Sequence, residues 1–246
     1  MVCGSANVLA HQGFLIGWSR PKPVVQLAVS IRLLIRTSPA NSIYHEMKAI
    51  MPGIVIELNG SHFITIDLAG MDVVDVSVHG ALDQVSKAVL DAHGGNYSDG
   101  GCGHLIWVAE QSILSGEALN VKLIEACGIT AKGRTIQELY PDDEPVSQTD
   151  FTISEEMAAE IRARPRLHKA FSVEAATSNG QLAAAMSNEL NTSFTFGVLW
   201  DFTRPNQARV RLNTHCLDDV LARKAGTRHL EAVLSLGDSA SFSLNS

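Results

Sequence analysis

The segment DGGCGH, Asp99 to His104, places a carboxylate, a thiol and an imidazole within six residues. Those groups are the parts of a thiolate nucleophile with its base and a residue that orients the base. Asp99, Cys102 and His104 are therefore the candidate catalytic set. The spacing also argues against them, because a base must point back at its nucleophile and near neighbours in sequence seldom do. The surrounding glycines equally suit a loop that merely turns. A second cluster, His215, Cys216, Asp218 and Asp219, has the same residue types. There Asp218 also suits the opening of a helix. A third group is basic: RARPRLHK carries Arg162, Arg164, Arg166 and Lys169. It suits an interaction surface that steers a partner by charge, or a pairing with the acidic PDDEP segment around Asp142 and Glu144.

No GxGxxG, Walker A, HExxH or GxSxG pattern occurs, so the common cofactor and hydrolase fingerprints are missing. The four cysteines, Cys3, Cys102, Cys127 and Cys216, lie far apart with no CxxC or Cys/His zinc spacing. The expectation is no cofactor and no metal, with reduced thiols in a cytoplasmic protein. The net charge is −7 and no basic stripe is interleaved with aromatics, so no nucleic-acid partner is expected. The apolar run PVVQLAVSIRLLI is interrupted by Arg32 and falls short of the roughly 20 residues a membrane span needs, so no membrane partner is expected either. Oligomeric state is not set by these features.

Residues 1–50 stand apart. Met1 to His45 contain no Asp or Glu, and their only charges are Arg20, Lys22, Arg32 and Arg36. From Glu46 onward, 15 basic residues face 26 acidic ones. Three readings compete: an organelle presequence, a helical arm packed on the body, or a non-native or disordered extension with Met47 or Met51 as the true start.

The elements that must position the candidate residues read as strands. Ile54, Ile56 and Leu58 alternate with polar or smaller neighbours up to Asn59-Gly60, and Ile64, Ile66 and Leu68 alternate after it. Asn-Gly between alternating apolar runs is a strong hairpin signal. Val74, Val76 and Val78 continue the pattern, HLIWVAE reads as a buried strand, and Leu119, Val121 and Leu123 share a face. Leu82 to Ala92 has helical spacing, and HGGNYSDGGCG reads as a long glycine-rich connection. Residues 51–130 thus form one β-rich half. Residues 131–168 form a linker with an acidic stretch, a short helical turn at TIQELY, and a helix opened by Ser154 and stopped by Pro165. Residues 169–246 form a second β-rich half. It has a hairpin at Asn179-Gly180, a strand with Phe194, Phe196, Val198, Trp200 and Phe202 on one side, and its partner ARVRLNT. Two short helices, LDDVLARK and TRHLEAVLSL, and a terminal strand then follow.

The fold class expected is α+β, mainly antiparallel, with two sandwich-like β-rich halves joined by the helical, acidic linker. Each half opens on an Asn-Gly hairpin, holds one Trp-bearing strand and closes past a Leu-Ser turn. That suggests either duplication or two generic antiparallel segments of one domain. The function expected is a soluble, non-enzymatic binding or interaction module of accessory or immunity type, with another protein as its partner. The alternative is an enzyme of unfamiliar type built on Cys102 and His104.

Overall fold

Alternating side chains need two faces, one for the core and one for water, and two antiparallel sheets packed face to face supply both. The computed structural model describes residues 52–97, 100–125, 130–142, 154–222 and 224–245. The acid-free extension and Asp99 lie outside the described residues. The first half gives six strands: β1 (Gly53–Leu58), β2 (Ser61–Asp67), β3 (Val73–Ala81), β4 (Ala88–Asn96), β5 (Gly103–Ile113) and β6 (Ala118–Ile124). The linker gives helices α1 (Ile136–Leu139) and α2 (Glu155–Ala163). The second half gives β7 (Ser172–Thr177), β8 (Leu182–Met186), β9 (Asn191–Asp201), β10 (Gln207–Cys216), the short helix α3 (Leu217–Leu221), β11 (Thr227–Ser235) and β12 (Ser239–Asn245).

The strands form two six-stranded sheets. One runs β2-β1-β6-β12-β7-β8 and the other β11-β10-β9-β3-β4-β5. Every neighbouring pair is antiparallel. Each sheet therefore takes three strands from each half, and the second six strands repeat the placement of the first six. The centre of one sheet is the pair Ser77–Gly197 on β3 and β9. The centre of the other is Asn120–Ser241 on β6 and β12. A twofold rotation through those pairs exchanges the halves. The left-handed turn glycines correspond too: Gly60 with Gly180, and Gly116 with Gly237. The tryptophans do not, since Trp107 is on β5 and Trp200 on β9, which are not equivalent strands.

One apolar core fills the space between the sheets. Ile54, Ile66, Val121, Val173 and Phe242 enter from one side, and Val76, Leu90, Phe196, Trp200 and Leu212 from the other. Phe242 stacks on Phe194 and packs at 5.3 Å from Phe196, so the aromatic rings join the two sheets at the centre. Gly94 marks a close approach in this core. A β-carbon there would lie 2.2 Å from the Val73 carbonyl oxygen. Gly94→Ala is therefore expected to cost about 1–3 kcal/mol by overpacking, read as a lowered melting temperature; an unchanged one would show that β3 and β4 move apart freely.

Four local expectations need correction. HGGNYSDGGCG is not all connection, since His93, Gly94, Gly95 and Asn96 end strand β4. TRHLEAVLSL is strand β11, not a helix. Its Leu230, Ala232 and Leu234 are buried while Arg228, His229, Glu231 and Val233 are exposed, a period of two that pairing with β10 enforces. The helical spacing from Leu82 belongs to a turn followed by β4, which pairs with both β3 and β5. Phe202 leaves the buried face because β9 ends at Asp201, and it lies exposed in the turn. The helix opened by Ser154 is present as α2, and the Ser154 hydroxyl accepts from the Met157 N–H. α1 carries a capping box between Thr135 and Glu138. At α3 the cap is Cys216, whose sulfur accepts from the Asp219 N–H; Asp218 sits in the first turn.

Candidate functional site

The outward face of the β4-β3-β9-β10 sheet carries the charge that the core excludes. Pleating sends Val74, Val76 and Val78 inward, so Asp75, Ser77 and His79 of β3 point out, with Asp91 and His93 of β4 beside them. Asp75 is opposite His93, and Ser77 opposite Asp91. Asp75 Oδ2 lies 3.7 Å from His93 Nε2, and Asp91 Oδ2 lies 3.4 Å from His79 Nδ1. The His93 ring packs at 5.3 Å from the His104 ring. The Tyr97 hydroxyl is 2.8 Å from His104 Nδ1. Asp75, His93, His104 and Tyr97 thus form a chain of side chains, with the Asp91–His79 pair beside it.

An irregularity shapes this face. The β4–β5 register breaks on both sides of Ala92, so Asp91 has no cross-strand partner on β5. The extra residues include Glu110, whose φ of 51° is left-handed and strained for a residue with a side chain. Its backbone N–H instead reaches Asp91 Oδ1 at 2.8 Å. Bulges of this kind re-aim side chains and recur beside functional sites.

Asp75 is the unusual member. It is only 8% exposed, and its Oδ1 has no hydrogen-bond partner. Next to it is Gly197, at whose position a β-carbon would meet only that oxygen, at 3.8 Å. Burial pushes the Asp75 carboxyl up to about 7; a hydrogen bond from Ser77 works against the shift, and the charge of Asp91 adds to it. Burial also lowers the pKa of His93, which Asp91 partly offsets. His104 is lowered by burial and then by His93. At neutral pH these two imidazoles are neutral.

No protein-family model, curated protein or solved structure matches this chain. The internal symmetry supplies the comparison instead. The twofold carries Asp75 onto Thr195, Ser77 onto Gly197, His79 onto Leu199, Asp91 onto Arg211 and His93 onto Asn213, given the registers of β3, β4, β9 and β10. The second half therefore builds the same strand pair without a buried acid or a histidine cluster. Inward positions are mainly apolar in both halves, with the buried Thr177 and Thr214 as polar members of the second. The architecture needs the core pattern twice and the Asp–His face not at all.

The residues singled out from sequence fall elsewhere or apart. Cys102 is an exposed free thiol whose sulfur lies 3.7 Å from the Gly103 carbonyl. His104 sits with Tyr97 and His93, on the strand that follows. Of the basic group, Arg162 donates from Nε and Nη2 to Asp218 of α3, at 3.2 and 3.1 Å. Arg166 donates to the Glu189 carbonyl. Arg164 caps α2, and its N–H reaches the Ile161 carbonyl. Lys169 is exposed. Among the described residues no three His, Cys, Asp or Glu side chains converge as a metal site would require, and no helix is long and apolar enough to cross a membrane. Sequence reasoning missed Asp75, Asp91, His79 and His93. For Asp75 and His79 the available signal was their place on the polar side of an alternating strand, in VVDVSVHG; Asp91 and His93 lie on β4, whose helical spacing hid it.

Proposed function

We propose that this chain is a soluble cytoplasmic binding protein that takes a protein partner on the Asp75–His93–His104 face and acts by association rather than turnover. One observation carries the reading. A largely buried carboxyl with an unpartnered oxygen sits where the symmetric half of the same fold has Thr195, so its desolvation cost is not one the fold requires. Features that a scaffold does not need, and that lower its stability, belong to function in the usual case. The enzyme alternative gains no geometric support, because Cys102 and His104 engage different partners. The basic segment is in part committed within the chain, to Asp218 and to the Glu189 carbonyl.

Photo-crosslinking tests the reading. A benzoylphenylalanine placed at Thr195, on the outer face of β9, is expected to give a discrete adduct in cells, and Asp91→Lys is expected to remove it. The same probe at Ser241, on the outer face of the other sheet, should give none. Adducts at Ser241 but not at Thr195 would overturn the assignment of the face.

A further inference from the structure

Most carboxylates that form ion pairs in the described structure do so with an arginine or lysine. Glu57 pairs with Lys122, Asp201 with Arg209, Asp218 with Arg162, and Glu231 with both Arg211 and Arg228. Asp75 and Asp91 differ, because their partners are histidines. Burial keeps His93 from taking up a proton at neutral pH, so it offers Asp75 little compensating charge. The cluster is thus short of positive charge: two carboxyls, imidazoles at His93 and His104 that burial keeps neutral, and Asp75 Oδ1 with nothing to accept from.

The missing group is a cation, and the surroundings select its shape. The carboxyls and imidazoles spread over three strands, too far apart to share one metal ion, whereas an organic cation reaches several acceptors at once. Beside the carboxyls stands a wall of rings, with His93 tilted on His104 and Tyr97 stacked at 6.3 Å from His104. A guanidinium is planar, stacks on aromatic faces, and presents N–H donors in a fixed fork that matches carboxylates. An ammonium uses the charge but not the rings. Gly197 puts no side chain over Asp75, whose side chain keeps 11% of its surface exposed although Oδ1 itself is buried.

We propose that this face binds the guanidinium of an arginine in the partner, held by Asp75 and Asp91 and stacked on the His93–His104–Tyr97 wall. The proposal rests on the binding reading above and names the chemistry of its ligand.

The test uses the full chain at pH 7.5 and three capped peptides, Ac-Gly-Xaa-Gly-NH2, with arginine, lysine or citrulline at the centre. Citrulline keeps the shape of arginine without the charge. Imidazole carbon–proton NMR signals report binding, with His93 and His104 assigned from His→Gln variants. The arginine peptide is expected to shift both signals saturably and to bind at least tenfold more tightly than citrulline, with lysine between. Asp75→Asn should weaken arginine binding at least tenfold while leaving the protein folded, and Asp91→Asn should weaken it by a similar factor. Raising salt from 50 to 500 mM should weaken it as well, since the Debye length shrinks to a few ångströms. Free L-arginine is the second arm; tighter binding of free arginine than of the peptide would overturn a protein source for the group. Equal binding of arginine and citrulline at this face would overturn the cation while leaving the face intact. Shifts confined to other histidines, such as His62 or His229, would overturn both the cation and the face.

Discussion

Truncating Trp200 to alanine is expected to lower the unfolding free energy by about 3–5 kcal/mol, the range for deleting a large buried aromatic. Trp200 lies on β9 between Val74 of β3 and Ala208 of β10 and is 2% exposed. Its indole is anchored at both ends of its character. The ring fills the core between the sheets, and Nε1 donates to the Pro205 carbonyl at 2.9 Å. Pro205 belongs to the turn that joins β9 to β10, so the alanine variant leaves a cavity and also frees the turn. Trp200→Phe separates the two losses, because it keeps most of the volume and removes the donor, which is worth about 1 kcal/mol. Urea unfolding checks both: the midpoint should fall with the slope unchanged. A loss under about 1 kcal/mol for the alanine variant would show that the core collapses onto the site, contrary to the rigid packing of two opposed sheets.

The readable and the unreadable parts of this sequence divide along one physical line. Ile54, Ile56 and Leu58, or Val74, Val76 and Val78, announce a strand because each side chain needs only its own neighbours in sequence to define a face. The Asn-Gly turns announce hairpins for the same local reason, as Gly60 and Gly180 supply left-handed geometry at little cost. β11 resembles a helix in sequence because Leu230 and Leu234 are spaced four apart, which a helix and a strand both satisfy; only pairing with β10 decides. The site was hidden more deeply. Asp75 and His93 are 18 residues apart and become neighbours only through the β3–β4 register. His104 joins them only through β5. Conversely Cys102 and His104, close in sequence, part at the start of β5, because β5 carries His104 alongside β4 while Cys102 precedes the strand. Residues that meet across strands leave no spacing to read, and a register can be known only once the sheet is.

Asp75 makes the face sensitive to pH, and the direction follows from its proton. In the unfolded chain an aspartate ionises near 3.9. In the folded protein burial holds Asp75 protonated up to about 7. Between those values the unfolded chain has released a proton that the folded protein keeps, so this group lowers stability as pH rises from 4 to 7. Above 7 both states are ionised and the penalty stays constant. His93 and His104 act oppositely: their folded pKa values lie below the unfolded one, so they lower stability as pH falls below about 6.5. A wild-type stability profile mixes these trends, but Asp75→Asn isolates the first. Asparagine resembles the protonated acid in shape and cannot ionise. The variant is expected to match the wild type near pH 4 and to exceed it increasingly up to pH 8, by as much as about 4 kcal/mol for a shift of this size. Urea unfolding of both proteins at pH 4.5, 6 and 8 measures the gap. A gap that stays constant with pH would show that Asp75 ionises normally in the fold and would remove the desolvated carboxyl on which the face depends. A gap that opens with pH has a further consequence for binding. The free protein then carries its largest electrostatic strain at pH 8, and a docked guanidinium would relieve it there most. Arginine binding should therefore tighten over the same interval in which the variant gains its advantage, because ligand and proton compete for one carboxyl.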